Sequence, residues 1–391
     1  MPGPLEGLVV LDATQVMAGP FCTLLLADMG AEVIKVEKPT GDDSRRMGPP
    51  FINGESAAFL GINRNKRSIV LDLRREHERD VFRRLAAQAD VVAENFRPGV
   101  MARLGLGPDD LRATHPELIY ASISGFGQTG PYAARPGYDL IAQGMSGIMG
   151  VTGYPDSPPV KVSVPLADLS AGMYAANGVL AAYVHRLKTG QGQVVDAALL
   201  DSAVGLTLWE AAELWGSGHV PGPKGSAHRL VAPYQALRAT DGAFNVGCAN
   251  QATWERLAHA LGREDLLADP RFADNPSRTA HYQELAAALE ETTATHPAAH
   301  WLGLLEAAGV PAGPIYAMDQ VFDDPQVRAR EMMVELEHPT AGRVKHLGVP
   351  VKLSATPGAV RTPAPTLGQH TREVLERFGF SAQDIARVLA K

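Results

Sequence analysis

The segment VPLADLSAGMYAANGVL places Asp168 at the start of a long apolar helical pattern. An aspartate there has two chemical uses. Its carboxylate can cap the helix by accepting from a free backbone amide, a contact worth about 1 kcal/mol. Alternatively, amides and the helix dipole can depress its pKa and leave one oxygen available as a nucleophile. The two uses exclude each other only if both oxygens are committed, so a cap can also aim the attacking atom. Tyr138 and Asp139, in RPGYDLIAQG, stand before a second helical pattern. The tyrosine hydroxyl can donate to a polarised carbonyl, and Asp139 can cap its helix or organise neighbouring donors. A capped helix with a half-buried aromatic explains the same pair without chemistry.

The connection ATQVMAGPF turns at Gly19-Pro20 into a helix whose amides can face a ligand, but it lacks the G-x-G-x-x-G spacing of a dinucleotide cradle. No G-x-x-x-x-G-K-[ST] phosphate loop occurs either. A phosphate-rich ligand would instead need separated cations. Lys38, Arg45, Arg46, Lys66, Arg67, Arg97 and Arg103 flank strand ends or the loops after them, and each also reads as ordinary solvated charge. Met17, Phe96 and Met101 pack against a ligand or fill the core. The twelve histidines form no HExxH or other close ligand spacing, so no metal site is expected. Ser124, in SISGFG, is not the centre of a G-x-S-x-G elbow.

These residues need a scaffold, and the apolar periodicity supplies one. Strands are expected at Leu8–Asp12, Glu32–Glu37, Arg67–Leu73, Asp90–Glu94 and Leu118–Ser122, with helices at Phe21–Met29 and Glu76–Ala89 between them. That alternation predicts a doubly wound α/β domain with a parallel sheet. Helices at Tyr138–Met149 and Leu169–Arg186 follow, then a strand at Val194–Leu200 and helical material to Trp215. The Gly/Pro-rich stretch Gly216–Gly225 marks the start of a second domain. It holds short strands around an Asp241-Gly242 turn and helices at Gln251–Leu261, Tyr282–Thr293 and Ala298–Ala308. Strands at Met333–Leu336 and Arg343–Leu347 and one last helix at Thr371–Arg377 close the chain.

Composition sets the outer bounds. The 391 residues are 45% hydrophobic and 20% charged, which suits a folded globular chain rather than a disordered one. A net charge of -7 offers no general attraction to nucleic acid. Two distant cysteines, Cys22 and Cys248, indicate neither a disulfide scaffold nor a metal cluster and fit a reducing, cytoplasmic setting. The amino terminus lacks the basic region of a secretory signal, and charged or glycine residues interrupt every apolar run before bilayer length, so no membrane role is expected.

Five stretches in order, LDATQVMAGPFCTLLLADMGAEVIKVEKP, NRNKRSIVLDL, DVVAENFRPGV, SISGFGQTGPYAARPGYD and VPLADLSAGMYAANG, together resemble the class III CoA-transferase and acyl-CoA racemase superfamily, the CaiB/BaiF type. The resemblance spans essentially the whole chain. It implies a large doubly wound domain and a smaller α+β domain, divided here as residues 1–215, 216–330 and a carboxyl-terminal part, 331–391, that returns to the large domain. It also implies an intertwined homodimer. Asp168 is implied as the acyl-accepting nucleophile, with Tyr138 and Asp139 beside it. Met17, Ala18, Asn95, Phe96 and Met101 are implied at the CoA site, with Lys38, Lys66, Arg67 and Arg103 near phosphate or adenine. The implied ligands are coenzyme A or acyl-CoA as substrate and small carboxylic acids, with no tightly bound cofactor.

Within that superfamily Tyr138 favours transfer over racemisation. Racemases carry a histidine at the equivalent position, and a neutral tyrosine needs a large pKa shift to act as a base. An acyl-CoA racemase or epimerase and an inactive CoA-binding or assembly protein are the alternative readings. Two departures weaken formyl or oxalate specificity: NVGCANQATW carries only Gly247 where formyl-CoA transferase has a glycine run, and Met17 replaces its glutamine. Small dicarboxylates such as succinate are the acids expected.

Overall fold

The inner strands of the large unit's parallel sheet are buried on both faces, which requires cover on both sides of the sheet. The computed structural model, which describes residues 2–390, builds six strands into that sheet. They are β1 (Val9–Asp12), β2 (Glu32–Glu37), β3 (Lys66–Val70), β4 (Val91–Glu94), β5 (Ile119–Ser124) and β6 (Val194–Ala198). All are parallel, in the order β3-β2-β1-β4-β5-β6. The order reverses between β1 and β4, and in such sheets ligands sit at the carboxyl ends of the strands near that reversal.

Alternation along each strand sends Val10, Val33 and Val91 to one face and Leu11, Ile34 and Val92 to the other. The first face is covered by α1 (Ala18–Asp28), and the second by α2 (Glu76–Ala86). After β5 come α3 (Asp139–Met145) and α4 (Leu166–Thr189). Helix α4 packs on the first face through Ala167, Ala171, Ala175 and Val179, spaced four apart. Its small residues allow close approach. A Cβ on Gly172 would lie 2.7 Å from the Ala18 carbonyl oxygen, and one on Gly178 would lie 2.6 Å from Val195 Cγ1. The helix stops at Gly190, whose φ of +75° suits the left-handed cap position.

Contact density divides the chain into two units. The larger comprises residues 1–149, 161–218 and 325–391, and the smaller comprises 150–160 and 219–324. The smaller unit therefore includes a segment, 150–160, that the sequence reading assigned to the large domain. Its strands β7 (Tyr234–Ala239), β8 (Gly242–Gly247) and β9 (Ala312–Pro314) are antiparallel in the order β9-β8-β7. Helices α5 (Gln251–Ala260), α6 (Tyr282–Thr293) and α7 (Ala298–Ala307) accompany them around Phe244, Trp254, Leu289 and Trp301.

The carboxyl-terminal part of the larger unit contains an antiparallel hairpin, β10 (Met333–His338) and β11 (Gly342–Leu347). Two helices, α8 (Thr371–Arg377) and α9 (Ala382–Leu389), then pack Val374, Leu375, Ile385 and Val388 on the second face of the six-stranded sheet. Sequence reasoning missed α9, although Ser381 and Asp384 form a reciprocal capping box at its start. The single helix expected over 138–149 is broken after Met145, with Gly147 at φ +89°. Among the described residues no helix is long and apolar enough to cross a membrane.

Candidate active site

Helix α4 is preceded at its cap by Pro165, which offers no side-chain acceptor, so its first amides need a partner from elsewhere. Asp139 provides it. Its Oδ1 accepts from Ala167 N at 2.9 Å and, more weakly, from Asp168 N at 3.5 Å. Its Oδ2 accepts from Gln143 Nε2 at 2.8 Å, and Gln143 Oε1 in turn accepts from Val162 N at 2.9 Å. Asp139, the first residue of α3, thus caps the neighbouring helix rather than its own.

Asp168 is left inside the first turn of α4, not at its cap, because the helix starts earlier than the apolar pattern suggested. Its side chain is half-buried and has no hydrogen-bond partner among the described residues. Burial, reinforced by the nearby Asp139 carboxylate, pushes its pKa up to about 6. The expectation of a depressed pKa is corrected here. The amides that would have held it ionised are taken by Asp139, and the dominant influences are loss of water and a like charge. Tyr138 precedes α3, is 73% exposed, and its hydroxyl has no partner among the described residues.

Asp168 and Gly172 lie four residues apart and share one face of α4. Since Gly172 abuts Ala18, the Asp168 carboxylate belongs on the side of α4 facing the start of α1. The turn before α1 is held from several directions. Gln15 N donates to Asn95 Oδ1 at 2.8 Å, and Asn95 Nδ2 donates to Gln15 O at 2.7 Å. Val16 N donates to the Asp42 carboxylate at 3.2 and 3.4 Å. Val16 itself has φ +70°, a conformation that costs a β-branched residue about 1–3 kcal/mol.

Beside this turn a cavity of about 460 Å³ opens at the carboxyl ends of β1, β2 and β3 and the loop after β4. Thr14, Gln15, Lys38, Asp42, Asp72 and Phe96 contribute to its wall. Of the residues singled out from sequence, the structure gathers Lys38 and Phe96 at this cavity, with Asn95 and half-buried Met17 at the adjoining turn and Ala18 buried behind it. Lys38 is exposed and pairs with Asp43 at 2.8 Å. Arg103 and Arg97 are exposed and carry no carboxylate partner among the described residues.

Three expectations do not fit the cavity. Lys66 points inward, where its ammonium meets Asp12, Pro20 O, Thr23 and Asn63 at 2.8–3.1 Å, and burial lowers its pKa to about 8. It anchors the first turns of α1 and is not exposed for a phosphate. Arg67, near the amino end of β3, pairs with Glu32 and Glu373. Met101 is 3% exposed and fills the core of the second face.

Sequence reasoning also passed over residues at the site. Asp42 and Thr14 are short polar side chains in turns, without a motif of their own. Glu94 closes β4, accepts from Phe96 N at 2.8 Å, and is pushed up to about 7 by burial. A strand-ending glutamate ordinarily signals only solvent.

The description "CoA-transferase family III" matches residues 5–371. The chain belongs to this family. It is 40% identical to the succinyl-CoA:glutarate CoA-transferase of Mus musculus over 95% of this chain and 86% of that one. It is 41% identical to the acetyl-CoA:oxalate CoA-transferase of Acetobacter aceti, covering 96% of each. A crystal structure of a CaiB/BaiF family protein from Brucella suis superposes with a TM-score of 0.87 and 42% identity, over 97% of this chain and 100% of that one. For this family III chain, CoA-transferase activity on acyl-CoA and carboxylate substrates is supported at the family level, together with its α/β fold and parallel sheet.

Proposed function

We propose that this chain transfers coenzyme A from an acyl-CoA to a free carboxylic acid with Asp168 as the covalent nucleophile. The carrying observation is a half-buried carboxylate with no hydrogen-bond partner among the described residues, on the face of α4 that meets the start of α1, where burial pushes its pKa up to about 6. At pH 7 most of it is ionised, yet burial keeps it poorly hydrated and more nucleophilic than a surface aspartate.

An Asp168 oxygen attacks the thioester carbonyl, the C–S bond breaks, and CoA departs as thiolate. That thiolate attacks the Asp168 carbonyl of the mixed anhydride, forming an enzyme thioester and releasing the donor acid as carboxylate. The acceptor carboxylate then attacks the enzyme thioester and expels CoA thiolate, which finally takes the new acyl group and regenerates Asp168. Each step exchanges one acyl bond for another, so the cycle consumes no oxidant and no net proton. Asp139 orients Asp168 through the amides of α4. Exposed Tyr138 is available to donate to the developing oxyanion.

The cavity at the strand ends suits a nucleotide-bearing substrate, with Arg97 and Arg103 as free cations for its phosphates. Small dicarboxylates such as succinate are the proposed acids, a reading supported by the succinyl-CoA:glutarate activity named for a similar protein. A homodimer is also proposed. Met173, Leu180, Val184 and Leu187 form an exposed apolar stripe along α4, which a second copy of the chain would cover.

Incubation of the protein with succinyl-CoA should add CoA to the intact mass at Asp168. Asp168→Ala should abolish the adduct and the transfer while retaining the parent's unfolding curve. Turnover of Asp168→Ala at the parent's rate would reject the nucleophile. Solvent deuterium entering the α-carbon without any acceptor acid would point to racemisation instead.

A further inference from the structure

Among the described non-glycine residues with positive φ, Val16 alone is β-branched, and it stands in the turn that walls the cavity. Something must hold it there. Its amide donates to both oxygens of Asp42, which is 1% exposed and belongs to a loop 26 residues further on. Asp42 is itself fixed. Lys35 Nζ pairs with its Oδ2 at 2.8 Å with both side chains fully buried, Ser44 N and Oγ donate to its Oδ1 at 2.8 Å, and its own amide donates to Glu37 Oε2 at 3.0 Å. Lys35 Nζ also donates to Thr14 O at 2.9 Å, on the other side of the same turn.

The arrangement exceeds what a local cap requires. Asp42 caps a single helical turn, Asp43–Arg46, for which the Ser44 amide alone would suffice, whereas its second oxygen and the buried lysine tie that turn to the 14–16 segment. We propose that Asp42 is a positioning residue for acyl-CoA binding, which captures the Val16 amide and holds the Thr14–Met17 turn in the bend that shapes the cavity wall. Without that hold, Val16 relaxes toward negative φ and carries Gln15 and Met17 with it. The inference rests on the reading that this cavity receives the CoA portion of the substrate.

The test compares Asp42→Ala, Asp42→Asn and Asp42→Ala/Val16→Gly with the parent, using CoA as the binding probe in calorimetry and acyl-CoA in turnover. Removing a long, charge-assisted contact should raise the CoA Kd and the acyl-CoA KM about tenfold in Asp42→Ala. The value of kcat should stay within about twofold, because the nucleophile on α4 is untouched. Asp42→Asn keeps the volume and a neutral acceptor, so it should show a smaller rise, about threefold, and it secures the test if the alanine variant does not fold. Glycine takes positive φ without steric cost, so Val16→Gly should recover at least about threefold of the lost affinity.

Hydrogen exchange separates this idea from the reading beneath it. CoA should slow exchange in a peptide spanning residues 13–20 of the parent. If CoA binds without slowing it, the cavity assignment fails and this proposal falls with it. Slowed exchange in the parent combined with unchanged Kd and KM in Asp42→Asn, or loss in Asp42→Ala that Val16→Gly does not relieve, overturns the role of Asp42 alone.

Discussion

Replacing Asp139 by asparagine tests the electrostatics of Asp168, the proposed nucleophile. The amide oxygen can still accept from Ala167 N and keep α4 capped, while the like charge beside Asp168 is removed. The Gln143 contact is lost in that variant, at about 1 kcal/mol of stability. Burial is the larger reason that Asp168 titrates near 6 and Asp139 the smaller, so the midpoint should fall without returning to the ordinary aspartate value. A neighbouring like charge acts on the scale of about one pH unit. With a midpoint near 6 the parent is about 9% ionised at pH 5, and a fall of about one unit raises that to about 50%, a gain of roughly fivefold in adduct formation. At pH 7.5 both proteins are almost fully ionised, and their rates should agree within about 10% on this account. The assay is the single-turnover rate of CoA adduct formation, followed by rapid quench and intact mass from pH 4.5 to 8. Superimposable profiles, a midpoint moving upward in the variant, or a parent midpoint near 4 would each refute the reasoning.

The proposed dimer should sediment near twice the chain mass of 41.6 kDa at micromolar concentration, and a 41.6 kDa species there would contradict it. His346 gives a stability prediction. It is 4% exposed, both ring nitrogens lack hydrogen bonds, and burial lowers its pKa to about 4, with Arg64 and His338 adding to the effect. The unfolded chain binds a proton there below about 6.5 and the folded one does not, so this contribution is complete above that pH and is lost as the pH falls toward 4, by at most about 3 kcal/mol. Urea titrations of the parent and His346→Leu at pH 7.5 and 5 should show the smaller acid loss in the variant, and equal losses would exclude His346 as a cause.

The strands were legible as short apolar runs bounded by turn residues, and most helices by the 3.6-residue period of one buried face. Glu32–Glu37, Tyr282–Thr293 and Thr371–Arg377 match their expected limits. The exceptions are instructive. Helix α9 is short, and its apolar pair Ile385 and Val388 acquires meaning only when the second face of the sheet lies beneath it. The early start of α4 was hidden because Asp168 itself reads as a cap, although Pro165 beside Leu166 is compatible with an earlier helix start.

The sequence placed Asp168 near the start of α4 but misjudged the influences on its charge. Asp168 stood out by its neighbours in sequence, but its titration depends first on burial and then on Asp139, 29 residues away, which also intercepts the amides that a local reading assigned to Asp168. Lys66 and Arg67 make the same point. Adjacent cations on a strand face opposite ways, so one of them enters the interior beneath α1 while the other pairs with glutamates at its edge. Asp12, Lys35, Glu37, Asp42 and Lys66 are all buried at or near the carboxyl ends of β1 and β2 or beneath α1, where an apolar core would have been more economical to fold. A charged network in that position gives fixed geometry to turns that apolar packing would leave free to adjust. Its cost in desolvation is therefore best understood together with the strained bend at Val16: both sit where the backbone must keep one shape when the substrate is absent.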